Sequence, residues 1–170
     1  MRRFLTAVRL ALPLALAACA DEPPAGPPPT PVTASVEASP FLNPDRNNRP
    51  SPVVVIVYGL SDDAKFKDSG FFELYEQEQA TLGDAIKSRQ EFIIAPGDIR
   101  ELDLEVDAAA TFLAVLAAFR DIDSARFNAI MPITPGQPLS VQIKLQSNTI
   151  VLVGPEQPVV TEDGGSSDGA

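Results

Sequence analysis

The chain has 170 residues, with no histidine, no tryptophan, one cysteine and a formal charge of −10 from 13 basic and 23 acidic side chains. Lacking histidine, it cannot build a Ser-His-Asp arrangement or use the commonest metal ligand; lacking clustered Lys and Arg, it has nothing with which to hold nucleic-acid phosphates. A single cysteine provides neither an intrachain disulfide nor a thiolate metal site.

Arg2 and Arg3 open the chain, and the apolar run from Leu10 to Ala20 has 11 residues, against roughly 20 for a membrane-spanning helix. A basic start followed by a short apolar stretch ending in small residues is the layout of a bacterial export signal, residues 1–18. Leu16-Ala17-Ala18-Cys19 resembles the lipobox of bacterial lipoproteins, in which cleavage leaves the cysteine as the acylated N-terminus. That resemblance implies several acyl chains on Cys19, a durable anchor at about 0.8 kcal/mol per buried methylene. With Ala20 rather than Asp behind the cysteine, it also implies the periplasmic face of the outer membrane. The alternative is an ordinary buried thiol. Asp21, Glu22, Pro23 and Pro24 follow directly, however, and leave no periodic apolar segment to bury it. Removing residues 1–18 takes Arg2, Arg3 and Arg9 and no acid, leaving 10 basic against 23 acidic side chains. An anionic bilayer would repel such a head, so the lipid is the attachment. The same charge suits a basic protein partner, or serves solubility alone.

Ten of the 17 prolines lie between Pro23 and Pro52. Residues 19–31 are expected to form the lipidated cysteine and a proline-rich spacer, extended at about 3.1 Å per residue. Residues 32–155 then form one domain, and residues 156–170 an acidic, disordered tail. Val32, Ala34, Val36 and Ala38 alternate with polar residues, the period of a half-buried strand. The loop Phe41 to Pro52, "FLNPDRNNRPSP", is longer than a tight hairpin needs and carries two arginines in an acidic domain. A loop of that kind on a rigid scaffold suits binding as readily as plain connection. "VVVIVY" from Val53 is continuously apolar, which predicts a central strand with little solvent on either face. A helical insert follows: Phe71, Leu74, Tyr75, Leu82 and Ile86 recur at near-helical spacing, with a cap at Ser69 and Gly83 dividing the run.

"APGD" from Ala95 is a turn, and Leu102, Leu104 and Val106 alternate with Glu101, Asp103, Glu105 and Asp107 in a further strand. "TFLAVLAAF" from Thr111 fits a buried strand or, by its alanines, a helix; its bulky residues favour the strand. Leu139 to Leu145 alternates again, and Ser147-Asn148 turns it into "TIVLV". The total is about eight strands: an all-β fold with a small helical insert, built as a two-sheet β-sandwich with the helices beside one sheet or across an end.

Chemistry is sparse. Asp121 and Asp123 in "FRDIDSAR" are the nearest approach to a hydrolytic acid pair, but charge pairing with Arg120 and Arg126 accounts for them equally well. The acids of Glu101 to Asp107 are spread along a strand, not gathered in the turned loop that calcium requires. A carbohydrate platform would call for several exposed aromatics, and only Tyr58 and Tyr75 offer a hydroxyl-bearing ring.

The segments "LNPD" (Leu42 to Asp45), "RPSPVVVIVYGL" (Arg49 to Leu60), "FFELYE" (Phe71 to Glu76), "LGDAI" (Leu82 to Ile86), "IAPGD" (Ile94 to Asp98) and "VLAAFRDIDSARF" (Val115 to Phe127) come in one order and spacing. In these the chain is similar to the TssJ/VasD lipoproteins of bacterial type VI secretion systems. The resemblance implies a transthyretin-like β-sandwich with a helical segment, and an assembly component with no catalysis, cofactor, metal or small-molecule substrate. It implies a partner, the periplasmic C-terminal region of the inner-membrane subunit TssM. The contact it implies is the loop between the first two strands, here Asn43, Pro44, Asp45, Arg46, Asn47, Asn48 and Arg49. Gly59 and Phe127 depart from the family pattern, which often has glutamine and tryptophan there. The competing readings are an outer-membrane lipoprotein that binds glycan or peptidoglycan, and, behind it, a carboxylate hydrolase using Asp121 and Asp123.

Overall fold

The structure is a computed structural model that describes residues 27–155; the export signal, Cys19 and the acidic tail lie outside the described residues. Eight strands form two four-stranded sheets. The first has the order β4-β1-β7-β8, from β1 (Thr30–Ala38), β4 (Ile99–Val106), β7 (Leu139–Gln146) and β8 (Thr149–Val153). The second has the order β3-β2-β5-β6, from β2 (Val53–Leu60), β3 (Ile86–Ile94), β5 (Phe112–Ala117) and β6 (Asn128–Pro132). Only β1 and β7 run parallel; every other pair is antiparallel. β1 begins at Thr30, paired to Val106, two residues before the expected domain start.

The alternating strands are buried on one face, as their period requires. Val32, Ala34, Val36 and Ala38 of β1, Leu104 and Val106 of β4, and Val141, Ile143 and Leu145 of β7 point into the space between the sheets. Glu101, Asp103 and Glu105 stand exposed on the outward face of β4. The two continuously apolar strands are buried on both faces. Val53, Val55 and Val57 of β2 and Leu113, Val115 and Ala117 of β5 enter the inter-sheet core. Ile56, Tyr58, Leu60, Ala114 and Leu116, on the opposite face, enter a second core under the helices. At about 25 cal/mol per Å² of apolar surface, both faces of this strand pair stabilise the fold.

The helical layer is α1 (Ala64–Asp68), α2 (Phe71–Tyr75), α3 (Glu78–Thr81) and a 3-10 turn, Gly83–Ala85. It lies on the outer face of the second sheet, closed by Phe66, Phe71, Leu74 and Leu82. Two expectations need correction. Ser69 ends α1, and α2 is capped at Gly70, whose N–H donates to the Glu73 carboxylate at 2.8 Å. Ile86 is not the last helical residue but the first of β3.

Tyr58 is fully buried under this layer, and its hydroxyl donates to Glu78 Oε2 at 2.6 Å. Arg89 donates to the same Glu78 oxygen at 3.0 Å and to Glu91 at 2.7 Å. Burial and the Glu78 carboxylate hold the phenol well above its ordinary range, so Tyr58 remains a neutral donor. A buried hydroxyl without that partner would cost about 1–3 kcal/mol. Burial also removes Tyr58 from any carbohydrate platform.

Gly59 continues β2 to Leu60, with the register against β3 shifting between these two residues. A Cβ at Gly59 would lie 2.4 Å from Ser88 Oγ, 2.6 Å from Val106 Cγ1 and 3.1 Å from Ala110 Cβ. Ser88 can rotate away; Val106, packed in the core and stiff at χ1, has less room to move. Gly59→Ala is therefore expected to destabilise the fold by about 1–3 kcal/mol, read as a lower denaturation midpoint at unchanged m-value.

Candidate functional site

β1 and β7 finish at the same end of the sandwich, with Ala38 opposite Leu145. β2 starts there and β5 finishes there. The β1–β2 loop, the β5–β6 connection and the β7–β8 turn therefore meet at one end, and Thr30 lies at the other. Between these three connections and α2 runs an open groove of about 1040 Å³.

Asn43 forms its base. It is 4% exposed and sits at φ 48°, left-handed backbone that asparagine tolerates better than other residues with a side chain. Its Nδ2 donates to Pro52 O at 2.9 Å, its Oδ1 accepts from the Arg120 N–H at 2.8 Å, and its own N–H donates to Ser147 O at 2.6 Å. One side chain and its backbone thus tie three connections together. Leu42 beside it is fully buried in the main core, and the Ser51 N–H donates to Leu42 O at 3.0 Å, closing the loop like a hairpin.

The tip is shaped by Asp45. Its Oδ1 accepts the N–H of Asn47 at 2.8 Å and of Arg49 at 3.0 Å, and its Oδ2 accepts Arg49 Nε at 2.7 Å. Asn48 supplies the second left-handed residue, at φ 58°. The Arg49 guanidinium, assisted by these backbone N–H groups, holds the Asp45 carboxyl at about 2, down from 3.8. A depressed carboxylate contributes above its ordinary value and is lost as pH falls toward the folded one. The clasp is accordingly complete at neutral pH; its contribution to stability starts to fade below the ordinary 3.8 and is lost as the carboxylate is protonated near 2.

Of the seven loop residues expected to meet a partner, Asn43 faces inward, Pro44 and Asp45 are half-buried, and Arg46, Asn47, Asn48 and Arg49 are exposed. Asn43 through Asn48 line the groove; Arg49 lies behind the tip. The opposite wall is Phe72 of α2 with Arg120, Asp121, Ile122 and Asp123, and Ser147 and Asn148 complete it. These residues were not joined to the loop by sequence reasoning. The signal available was "FF" at Phe71-Phe72, since neighbouring residues on a helix stand about 100° apart and a narrow buried stripe takes one of them more readily than both.

The expected pairing of Asp121 and Asp123 with Arg120 and Arg126 is absent. Among the described residues the ion pairs are those of Asp45, Asp63, Glu78 and Glu91 with Arg49, Lys67 and Arg89. Asp121 instead accepts from the Ser124 hydroxyl, and Asn148 Nδ2 donates to Ser124 Oγ at 3.0 Å. The Arg126 N–H donates to Asn148 O and its carbonyl accepts from Ile150, both at 3.0 Å. Asp121 thus belongs to a loop-fastening network. An open groove with a polar, hydrogen-bonded rim and one exposed aromatic resembles a protein-contact surface more than an enclosing ligand pocket.

Replacing Asn43 by alanine leaves the Arg120 N–H and Pro52 carbonyl without partners and forces a Cβ residue into left-handed backbone. We expect a loss on the order of 3 kcal/mol, with Asn43→Gly, which relieves only the backbone, falling between the two in a denaturant titration.

The family model T6SS-SciN, described as Type VI secretion lipoprotein, VasD, EvfM, TssJ, matches residues 30–148. The crystal structure of the T6SS lipoprotein TssJ1 from Pseudomonas aeruginosa is 29% identical, with a TM-score of 0.71 over 77% of this chain and 100% of its own. Lip from Serratia marcescens, described as a membrane bound component of the Type VI Secretion System, is 20% identical, with a TM-score of 0.67 over 76% and 99%. A chain in the structure described as the T6SS protein TssM C-terminal domain from EAEC is 23% identical, with a TM-score of 0.60 over 72% and 97%. At such identities the last two share the fold alone. No curated protein matches the chain in sequence. The family match, from Thr30 to Asn148, spans seven of the eight strands, the helical layer and the groove, and the chain belongs to the type VI secretion lipoprotein family of VasD, EvfM and TssJ.

Proposed function

We propose that the chain is the outer-membrane lipoprotein of a type VI secretion membrane complex and acts without catalysis. Lipid on Cys19 fastens it to the periplasmic face, and the exposed β1–β2 loop tip grips the periplasmic C-terminal region of a TssM-like inner-membrane protein. The observation that carries this reading is polarity along β1. The chain enters the sandwich at Thr30, nearest the lipid in sequence, and the groove opens beyond Ala38 at the far end. The point where the chain enters the domain and the groove are thus separated by the length of a nine-residue strand, about 30 Å at the usual rise.

The loop suits that role because it is ordered before it binds. Asn43 fixes its base and the Asp45–Arg49 clasp its tip. Little conformational entropy then remains to be lost on association. The similarity to a chain in a structure described as the TssM C-terminal domain is consistent with this partner.

Two measurements test the proposal. Exchanging Pro44 to Arg49 for a glycine-serine segment of equal length, with Asn43 retained, should abolish capture of the TssM-like periplasmic region in a pull-down; capture at the wild-type level would refute the loop as contact. Cys19→Ala should move the protein from the membrane fraction to the soluble periplasm, and membrane retention would refute the lipid anchor.

A further inference from the structure

The helical layer leaves two large aromatic side chains exposed, Phe72 and, less so, Tyr75, and of these Phe72 lines the groove. Phe71 and Leu74 of α2 enter the second core, while Phe72, about 100° further round the helix, is 55% exposed and lines the groove. Its ring rests edge-on against Phe71 at 5.5 Å between centroids. Phe71 is itself stacked on Tyr75 at 5.1 Å and packed against Phe127 at 5.6 Å. Phe72 thus stands on a packed aromatic base, beside the half-buried Ile122 on the same wall. Rings held in this way lose little freedom when covered, which is why aromatic side chains dominate binding hot spots.

The cations of the groove are the second observation. Arg46 and Arg120 both line it, and neither forms an ion pair among the described residues, whereas Arg49 and Arg89 do. Two uncommitted guanidinium groups facing one groove stand out in a chain of formal charge −10. Asp121 and Asp123 share that wall; Asp121 accepts the Ser124 hydroxyl, and neither aspartate is paired with Arg46 or Arg120 among the described residues. Guanidinium forks are suited to carboxylates, which they meet with paired, charge-assisted hydrogen bonds.

Resting on the docking reading above, we infer that the groove seats a segment of the TssM-like partner that sets an apolar side chain against Phe72 and Ile122 and a carboxylate against Arg46 and Arg120. The β1–β2 loop then supplies one wall and the polar rim. The helical insert supplies the apolar anchor, and with it most of the affinity, because rim contacts contribute little and desolvated aromatic contacts contribute much.

The test measures binding of the detergent-solubilised full-length chain to the purified periplasmic C-terminal region of the TssM-like partner. Three variants are compared with wild type: Phe72→Ala, the double reversal Arg46→Glu with Arg120→Glu, and the glycine-serine exchange of Pro44 to Arg49. Phe72→Ala should raise Kd at least tenfold while unfolding at the wild-type temperature, since the ring is largely outside the core; Phe72→Leu should retain most of the affinity. The double reversal should raise Kd at least tenfold and flatten its salt dependence. If the loop exchange abolishes binding while Phe72→Ala and the double reversal bind as wild type, the groove inference is overturned and the docking reading stands. If wild type itself shows no affinity for the partner, both fall. Loss of affinity for soluble peptidoglycan fragments in the Phe72 variant, with partner binding intact, would also overturn the inference and assign the groove to glycan.

Discussion

The fold depends on the β2–β5 strand pair being buried on both faces. A half-buried sheet needs one partner layer; this pair needs two, and it receives the other sheet on one side and the helical layer on the other. The consequence for the site is direct. α2 is held on the same strands whose ends carry the β1–β2 loop and the β5–β6 connection, so Phe72 and the loop are fixed relative to one another through a close-packed interior. A helical insert attached at a sheet edge would have left them free to shift.

Polar interactions then settle the remaining freedom. Tyr58 is the one hydroxyl-bearing ring inside the helical core, and Glu78 of α3 satisfies it, itself held by Arg89 of β3. At the groove end Asn43 does the equivalent work for three connections, two of which are also joined by the Arg126–Thr149 bridge. Among the described residues every buried side-chain polar atom has a partner. Such networks are costly when incomplete and specifying when complete. This one keeps a long, proline-interrupted loop in a single shape without an intrachain disulfide.

Much of this architecture could be read from the residues, for reasons that also explain the omissions. Alternation in β1, β4 and β7 reports one buried face and the unbroken apolar run in β2 reports two, so these strands are evident, whereas the alanines of β5 suit a helix as well and only its bulky residues point to a strand. β3 was hidden because it is an edge strand. Its inward positions begin with Ser88 and Gln90 and its outward ones carry Lys87, Arg89 and Glu91, which suit an exposed helix equally well. β6, "NAIMP", is five residues long and ends in a proline that only an edge tolerates. The loop was singled out by its length and its arginines, but its division into an inward Asn43 and an outward tip was not. That division comes from hydrogen bonds spanning 77 residues of chain, to Arg120, and no local pattern encodes them. The groove was out of reach for the same reason: four separated segments build it.

The division of labour between the two ends of the domain follows from electrostatics as much as from topology. The outward face of β4 is acidic, and the chain as a whole carries a formal charge of −10. On the proposed reading such a head has no attraction of its own for an anionic membrane, so the lipid alone sets where the protein sits. A head that does not adhere to the bilayer keeps its groove end available to a partner arriving from the opposite membrane. Tethering raises the local concentration of that head at the surface where the partner must be met, and the loop and helix have only to discriminate, not to recruit. The arginines fit this arrangement: Arg46 and Arg120 line the groove beside Asp121 and Asp123 without pairing to them, and are the groups there that could meet a carboxylate on a partner.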